Sequence, residues 1–551
     1  MSGGGRTARM SGRFCMTRRA VLALALATGA AAAAQETEKS ASVRMHVHVD
    51  ARSGDDAAGD GTPDKPFRTI GRALALQAQT PERAADIHLG LGHYGRRFPA
   101  PSTDPDEINA AQKRAIDEER AKDREVVPIV LPPDVSLVGF GSAVCEIAGE
   151  EGKPLIVLPD RGECRLSGVT LLGAATAVAA PAVAAGERLL VRAADLSIRG
   201  CADAFDFEPA QPPAAGAAPA TIALRADGLR VRGAKRSLHA TGALRVDLDL
   251  DRCVFRDGGE GLSLEVRGAP AAGAWQALTL TGCRFERMNV AAVRRFGKGA
   301  LPADAPRWTI AGCAFTGNQV GLALEVNNGD LPLTLRDCEF QENELYGATL
   351  VGSGDPLDGA TTFERCRFRW NGIGVNLLSC GRPVELSECR VEDSTGNGIF
   401  AACFVGKRTR LSLARCVLAC NGAAGLFALT EVKEGIDVAL DHCTVADNRG
   451  HGVERKTRKA GTGEVKLARC VVAGNAVDLV KVGPEDVQEC LVGAGPFDEH
   501  GSAAGDPKFL RRSERDFRLA GDSPARRADG PLGAPDEVAS GGRPSGPRDS
   551  K

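Results

Sequence analysis

Residues 333–351 read LTLRDCEFQENELYGATLV, and variants of this phrase recur from Cys313 to Asn475. Each copy has a cysteine, an apolar residue two positions later, an asparagine five positions after the cysteine, and then a glycine; in the copy at Cys389, Ser394 replaces the asparagine, and the last copy, Cys470 to Asn475, lacks the glycine. The cysteines lie at 313, 338, 366, 389, 416, 443 and 470, in steps of 25, 28, 23, 27, 27 and 27 residues. A unit of this length cannot bury its own apolar face, so the repetition predicts a solenoid.

The residues within one unit indicate which kind of solenoid this is. Apolar and polar residues alternate from Leu333 onward, which is the period of a strand. A break at 336–337 precedes a second short strand at 338–340, and a third strand follows at 347–351. Three strands joined by bends describe one coil of a parallel β-helix, whose coils stack about 4.8 Å apart. The cysteines then form an interior column, and the asparagines form a column at a bend, where each amide bonds the backbone and the next amide.

These repeats resemble those of the right-handed parallel β-helix proteins of the pectate-lyase-like superfamily. That superfamily includes polysaccharide lyases, glycoside hydrolases, uronan epimerases and non-catalytic surface proteins. The resemblance implies an all-β, right-handed, single-stranded parallel β-helix, which we expect to have about a dozen coils over 145–492. The repeated phrase describes a core and not a site, so it favours none of these activities.

The N-terminus has the features of an export signal over residues 1–34. Thr17-Arg-Arg19 precedes an apolar, alanine-rich run from Ala20 to Ala34, which is too short to span a bilayer well. The arginine pair is similar to a twin-arginine signal, and a general secretory signal is the alternative. We therefore expect a periplasmic or extracellular protein without a transmembrane segment.

Residues 43–141 resemble the N-terminal module that opens many secreted β-helix proteins. The resemblance lies in Gly61-Thr, Pro66-Phe67 and Thr69-Ile70, and it implies a short helix that caps the open end of the solenoid. Residues 99–125 are highly charged and predict an exposed helical insertion. Asp55, Asp56 and Asp60 are either a calcium site or ordinary acidic turn residues, since their spacing is not that of an EF-hand loop. No other cofactor is predicted.

Two further segments follow the repeats, a patterned segment and then a polar tail. Residues 505–535, with Asp506-Pro-Lys-Phe509 and Asp522-Ser-Pro-Ala525, resemble a segment that often ends secreted β-helices, and we expect it to cover the C-terminal end. Residues 537–551 are polar and rich in Gly, Pro and Ser, which is typical of disorder.

Composition limits the choice of partners. The 551 residues contain 4% aromatic residues and 66 glycines, which suits a narrow core of small aliphatic side chains with many bends. The net charge is −2, and there is neither a basic domain nor a series of aromatic residues for stacking bases, so no nucleic-acid partner is predicted. Nothing in the pattern calls for a second copy of the chain, and we expect a monomer.

Seventeen cysteines in an exported chain suggest disulfides, but the repeat argues for buried thiols. Stacked cysteines have parallel Cα–Cβ vectors, which is poor disulfide geometry. One cysteine per coil, without a Cys-x-x-Cys pair, also disfavours a metal site. The ladder cysteines are therefore predicted to be small buried hydrophobic residues.

Four residues are candidates for catalysis. The residues before the ladder cysteines nearly alternate in charge, which indicates either a solvated ladder of opposite charges or a catalytic strip that includes Arg415 and His442. Lys466 lies at an outward position of a first strand. His451 stands in Gly450-His451-Gly452, which resembles the Gly-His-Gly motif of polygalacturonases, although their Asn-Thr-Asp and paired-Asp motifs are absent.

The loops that follow the third strands carry many cations. The predicted substrate-binding residues are Arg382, Lys407, Arg408, Arg410, Lys433, Arg455 and Lys456, with Arg458 and Lys459 beside them. If they stack on adjacent coils, they form a basic ledge that faces an anionic polymer. The alternative is that these charges serve only solubility.

These features predict an exported β-helix protein that interacts with carbohydrate, with an acidic polysaccharide as the expected partner. One interpretation is a polysaccharide lyase, since uronate elimination needs a neutralised carboxylate and a base near the C5 proton, often Lys or Arg in this superfamily. The other is a non-catalytic envelope or adhesion protein that binds glycan. A cleft of acids and bases with shifted pKa values favours the first, and a flat face of charge ladders favours the second.

Overall fold

The computed structural model describes residues 44–95, 125–180, 183–207, 218–241, 245–265, 276–295, 308–326, 333–352, 359–405, 408–458 and 461–540. The predicted export signal, the predicted helical insertion up to residue 124, and the end of the tail from residue 541 lie outside these ranges. Within the described ranges, no helix is both long enough and apolar enough to cross a membrane.

The chain forms the predicted parallel β-helix, with three strands in each coil. The first and second strands of successive coils make one continuous sheet of 30 strands, and the third strands make a separate sheet of 14. We call the three stacks sheet 1, sheet 2 and sheet 3. Gly162–Leu172 and Arg188–Arg199 run through the first bend and belong to both sheet 1 and sheet 2.

The remaining strands divide by position in the coil. Sheet 1 contains Met45–Val49, Ala85–Leu89, Val135–Gly139, Thr221–Asp227, Arg245–Asp251, Gln276–Thr281, Trp308–Ala311, Leu333–Arg336, Thr361–Glu364, Val384–Ser387, Thr409–Ala414, Ile436–Asp441, Val465–Ala468 and Val487–Gln488. Sheet 2 contains Gly92–Gly95, Cys145–Ala148, Arg230–Arg232, Val254–Arg256, Arg284–Glu286, Ala314–Thr316, Glu339–Gln341, Arg367–Arg369, Arg390–Glu392, Val417–Ala419, Thr444–Ala446, Val471–Ala473, Leu491–Val492 and Ala503–Ala504. Sheet 3 contains Ile129–Val130, Pro154–Val157, Thr176–Ala179, Asp203–Phe207, Arg236–Thr241, Glu260–Glu265, Val290–Arg295, Val320–Val326, Tyr346–Gly352, Ile373–Leu378, Ile399–Cys403, Leu426–Thr430, His451–Thr457 and Val477–Val480.

The core consists of columns of identical side chains. Five phenylalanines of sheet 2 stack with ring centroids 4.6 to 5.1 Å apart: Phe255, Phe285, Phe315, Phe340 and Phe368. The ladder cysteines lie beside them as buried free thiols. Each thiol contacts nearby carbonyl oxygens, as in Cys338 Sγ to the Arg336 oxygen at 3.2 Å. The column spacing follows from the distance between stacked strands.

Each coil turns at residues with left-handed backbone conformation. The residue before each ladder cysteine has a positive φ, for example 53° at Asp337 and 54° at Arg415. The residue before each asparagine does likewise, for example 56° at Glu342. This conformation disfavours residues with a Cβ, and glycine takes the same place at Gly282 and Gly312.

The asparagine column lies at the second bend, as the sequence predicts. Asn343 Nδ2 donates to Asn371 Oδ1 at 2.8 Å and to the Phe315 oxygen at 3.0 Å. Its own Oδ1 accepts from the backbone and side-chain nitrogens of Asn318. The same pattern joins Asn421, Asn448 and Asn475, and Ser394 interrupts the column.

The predicted capping helix is α1, Ile70–Gln77. Thr69 caps it by accepting a hydrogen bond from the Arg72 nitrogen, and the Glu125 carboxylate accepts from the nitrogens of Ile70 and Gly71 at 2.7 Å each. Ile70 and Ala73 are buried in the core at the start of the stack.

The C-terminal segment lies elsewhere than expected. It contains the hairpins Phe509–Arg511 with Asp516–Leu519 and Arg526–Arg527 with Gly530–Pro531, the short helix α2 (Asp536–Ala539) and the 3₁₀ turn Arg512–Glu514; another 3₁₀ turn, Pro484–Asp486, precedes it. Instead of covering only the C-terminal end, it packs along the outer face of sheet 2, where Phe517 and Ala539 contact Val417, Ala419 and Ala446. Arg390 Nη1 donates to the Val538 oxygen at 2.5 Å, and Ala534 N donates to Thr444 Oγ1 at 3.0 Å.

Candidate functional site

The basic loops of the last coils meet at the edge between sheet 3 and sheet 1. Arg408 donates to Thr462 Oγ1 at 2.8 Å and to the Glu434 oxygen at 3.2 Å. Thr462 N in turn donates to the Lys433 oxygen at 3.0 Å. The loops that follow the strands ending at Cys403, Thr430 and Thr457 are therefore in contact with one another.

The structure corrects the position of several predicted binding residues. Arg455 and Lys456 belong to the strand His451–Thr457, and Arg410 belongs to Thr409–Ala414, so none of the three lies in a loop. Arg382 is only 3% exposed, and its guanidinium does not face solvent as a ledge residue would. Lys407 and Lys459 lie outside the described residues.

Ion pairs neutralise part of this basic group. Arg408 lies 3.1 Å from Asp437, and Arg458 lies 2.9 Å from Glu431. By contrast, Arg410, Lys433 and Lys456 are exposed. Among the described residues, none of these three has an ion pair. Arg455 is half-buried. Its register partner is the buried Ala428, so Arg455 starts from the inner side of sheet 3 and not from the outer face.

Two half-buried phenylalanines lie on the outer face of sheet 3 in the coils that carry these cations. Phe400 pairs in register with Phe427, and Phe427 with Glu454, so all three project from the same side. The two rings have centroids 5.5 Å apart. Lys456 projects from this face two residues after Glu454. We call these two phenylalanines and Lys456, together with Lys433 in the following loop and Arg410 on the adjoining sheet 1 strand, the basic–aromatic surface.

Three of the four predicted catalytic residues are in contact with a carboxylate. Arg415 lies 3.1 Å from Glu388, and His442 lies 3.1 Å from Asp441, both at the bend between sheets 1 and 2. Lys466 lies 2.7 Å from Glu464, and this hydrogen bond raises the pKa of Lys466. A lysine with a raised pKa stays protonated at neutral pH and is a poor base. The same kind of pairing recurs in neighbouring coils: the hydrogen bond from Arg365 lowers the pKa of Asp337.

His451 is the one predicted catalytic residue that adjoins the basic–aromatic surface. It begins the strand that carries Glu454 and Lys456, and its Nε2 lies 3.7 Å from Glu454 Oε2. Its Nδ1 is buried and has no hydrogen-bond partner among the described residues. This imidazole therefore keeps unused hydrogen-bonding capacity beside an exposed surface.

The sequence did not reveal a polar cluster at the other end of sheet 3. His239 is buried, and its Nδ1 lies 2.8 Å from Asp206 Oδ1. Arg236 binds both oxygens of Asp203, at 2.6 and 2.7 Å, and also contacts the His239 ring. These coils lack the cysteine of the repeat, so their register was not evident. The polar Asp206 between the buried Phe205 and Phe207 is the signal that places Asp206 on the outer face. The hydrogen bonds satisfy this histidine as a structural residue.

The aspartates considered for calcium act within their own turns. Asp55 accepts from the nitrogens of Ala57 and Ala58, and Asp60 accepts from Thr62. Asp56 accepts from the nitrogens of Arg68 and Thr69. Across the described ranges, there is no group of three or more His, Cys, Asp or Glu residues that could hold a metal ion.

Comparison with known proteins agrees with the fold. The family described as "Right handed beta helix region" matches residues 302–476. The mannuronan C-5 epimerase AlgE4 A-module of Azotobacter vinelandii is 12% identical, covering 79% of this chain and 94% of its own, with a TM-score of 0.30. A rhamnogalacturonan lyase is also 12% identical, covering 91% of this chain and 97% of its own, with a TM-score of 0.26.

A third solved structure is similar to the same degree. The pectate lyase Pel9A is 10% identical, covering 88% of this chain and 91% of its own, with a TM-score of 0.23. No curated protein matches the sequence. Similarity at this level of identity and TM-score does not support a shared activity. The chain is a right-handed parallel β-helix repeat protein.

Proposed function

We propose that this chain is an exported β-helix protein that binds an acidic polysaccharide on the basic–aromatic surface. The observation that carries the proposal is the combination of exposed cations without ion pairs and two half-buried aromatic rings on adjacent coils. Exposed cations attract the carboxylates of a uronate chain, and the apolar face of a sugar ring packs on an aromatic ring.

The spacing of this surface also suits a polymer. Coils repeat about every 4.8 Å, so Phe400, Phe427 and Glu454 follow one another along the solenoid axis, and Lys456 lies two residues after Glu454 on the same face. A chain of sugars laid along that axis meets a similar position in each coil. A small ligand that binds at a single position would contact only one coil, so the repetition of coils would add little to its affinity.

Lyase activity is the finer proposal, and His451 is the residue on which it depends. Elimination from a uronate requires a base at the C5 proton and cations that neutralise the carboxylate. His451 lies on the same strand as Lys456 and has an unpartnered ring nitrogen, unlike the paired Arg415, His442 and Lys466. The paired charges of the sheet 1 bends, in contrast, favour the non-catalytic interpretation for that face.

Binding is tested by titrating the mature protein with polygalacturonate and alginate at low and high salt, with dextran as the uncharged control. We expect binding of the acidic polymers that weakens as salt screens the charges. The triple variant Arg410→Glu, Lys433→Glu, Lys456→Glu should lose at least tenfold in affinity while its melting temperature stays unchanged, because these side chains are exposed.

The matched control reverses three exposed cations away from this surface, Arg165→Glu, Lys235→Glu and Arg256→Glu. It changes the net charge by the same amount, so it should bind nearly as well as the parent. Equal loss in both variants would show that only net charge matters, and absence of binding by the parent at low salt would end the proposal.

The same samples test elimination through the ultraviolet absorbance of unsaturated products. If the protein is a lyase, product should accumulate with the parent, and His451→Ala should abolish it without abolishing binding. Binding without product from the parent would assign the protein to the non-catalytic class and leave the binding proposal intact.

A further inference from the structure

Three imidazoles share the outer face of sheet 1 at the start of the stack. His46 and His48 alternate with the buried Val47 and Val49 on the first strand. His88 lies between the buried Ile87 and Leu89 on the next strand, and it is the register partner of His48. The alternation of the two strands therefore places all three rings on the solvent side.

The distances within this cluster are short. His46 Nδ1 lies 2.9 Å from His88 Nε2. The His48 and His88 rings are stacked, with centroids 4.9 Å apart and planes inclined by 17°. Two ring nitrogens from different strands thus lie within hydrogen-bond distance, and the His48 ring packs against the His88 ring.

The 2.9 Å distance between His46 Nδ1 and His88 Nε2 is close to the distance between two nitrogen ligands of one metal ion. With metal–nitrogen distances of about 2.0–2.1 Å, two nitrogens on a single ion lie about 2.9 Å apart at a right angle and about 3.4 Å apart at a tetrahedral angle. His46 is exposed and His88 is only half-buried, so modest rotations about their side-chain bonds can aim both lone pairs at a common ion.

We propose that His46 and His88 form a binding site for a divalent transition-metal ion, with water in the remaining positions. Imidazole nitrogen suits Cu²⁺, Ni²⁺ and Zn²⁺, with Cu²⁺ bound most tightly of the three. His48 stacks on the His88 ring and holds its orientation, and is a positioning residue rather than a ligand. The nearby Asp86 is engaged by Arg44 at 3.0 Å and is not needed as a ligand.

The site is separate from the proposed glycan surface. It lies on the first two strands of sheet 1, whereas the basic–aromatic surface lies on strands from Ile399 to Thr457. Metal binding can therefore fail or succeed without bearing on the glycan proposal.

The test is calorimetric titration of the mature protein, prepared without a polyhistidine tag, with Ni²⁺ and with Zn²⁺. We expect one ion per chain. His46→Ala and His88→Ala should each weaken binding at least tenfold, because each removes one of two protein ligands. His48→Ala should weaken it less, because it removes only the supporting ring.

Two control variants use histidines outside the cluster. His93, which pairs with Glu146 at 2.7 Å, and the exposed His500 should be replaceable by alanine without loss of binding. With Cu²⁺, electron paramagnetic resonance should show two imidazole nitrogens bound to the ion. A stoichiometric site that survives the double variant His46→Ala, His88→Ala, or no site in the folded parent protein, would overturn the proposal.

Discussion

Single residues at the bends hold the coils of this molecule in register. The asparagine column satisfies backbone groups inside the second bend: Asn343 uses its amide to join three successive coils. Fixed spacing made both this column and the cysteine column predictable, because every copy must occupy the same place in its coil. The hydrogen-bond partners follow directly from that place.

Replacing Asn343 with alanine should destabilise the protein. The substitution leaves the buried Phe315 oxygen and the Asn318 nitrogen without their partners, which costs roughly 1–3 kcal/mol. Thermal melting of Asn343→Ala against Asn289→Ala, an exposed asparagine, measures the difference. Equal melting temperatures for the two variants would show that the amide column does not contribute to stability.

The thiols should react in a defined order. Of the sixteen cysteines described, Cys420 alone is partly exposed, and burial raises its pKa to about 11. Burial likewise raises the pKa of Cys145 to about 12. Because the thiolate is the reactive form, native protein should label slowly, with Cys420 first, and almost completely once unfolded without reductant.

Peptide mass spectrometry after timed alkylation checks this order. Early labelling of Cys338 or Cys443, or their recovery in disulfides, would contradict the burial of the ladder.

Arg382 shows which residue-level features the sequence could not provide. It lies within the shortest repeat, 23 residues from Cys366 to Cys389, which leaves only residues 379–383 between two strands. A loop this short stays close to the stack, and Arg382 is buried with it. Loop length varies freely between repeats, so cation counts in the sequence did not predict exposure.

At the scale of elements, the C-terminal segment is the main departure from expectation. It covers the outer face of sheet 2, where Val417–Ala419, Thr444–Ala446 and Val471–Ala473 are buried at every position. Earlier strands of the same sheet, such as Arg230–Arg232, expose alternate residues. The change from alternating to continuous small or apolar residues was visible in the sequence and is the signal that this face is covered.

Removing residues 505–551 should expose that apolar face. We expect the truncated protein to bind a hydrophobic dye and to self-associate in size-exclusion chromatography, because large apolar patches on soluble proteins promote association. A shorter truncation from residue 541 should behave as the parent. A monomeric, dye-free product lacking 505–551 would show that the segment contributes little.

The stability of the hairpin formed by Phe509–Arg511 and Asp516–Leu519 should depend on pH. Hydrogen bonds from Arg518 lower the pKa of Asp516 to about 2, below an unfolded value of about 3.9. A carboxylate with a lowered folded pKa adds stability above its unfolded pKa, and this is lost as the pH falls from about 4 towards 2.

The parent should therefore resist urea better than Asp516→Asn at pH 7, and the gap should narrow below pH 4. Urea unfolding of both proteins over this pH range measures the gap. A gap that does not change with pH would mean that the ionised carboxylate does not stabilise this hairpin.

At the scale of the whole molecule, the sequence predicted the fold because the repeat recurs over many coils. Seven imperfect copies between Cys313 and Asn475 agree on one register, and stacking follows from it. The candidate site had no such redundancy. His451, Phe400 and Phe427 are not part of the repeated phrase. Their association depends on which positions of sheet 3 lie side by side in neighbouring coils.

Hydrogen–deuterium exchange with and without polygalacturonate reports where on the solenoid the polymer lies. If the polymer binds the basic–aromatic surface, exchange should slow in residues 399–405, 426–435 and 451–458 and stay unchanged in the sheet 1 strands from 245 to 311. Protection confined to the sheet 1 face, or no protection anywhere under conditions in which the polymer binds, would contradict binding at this surface.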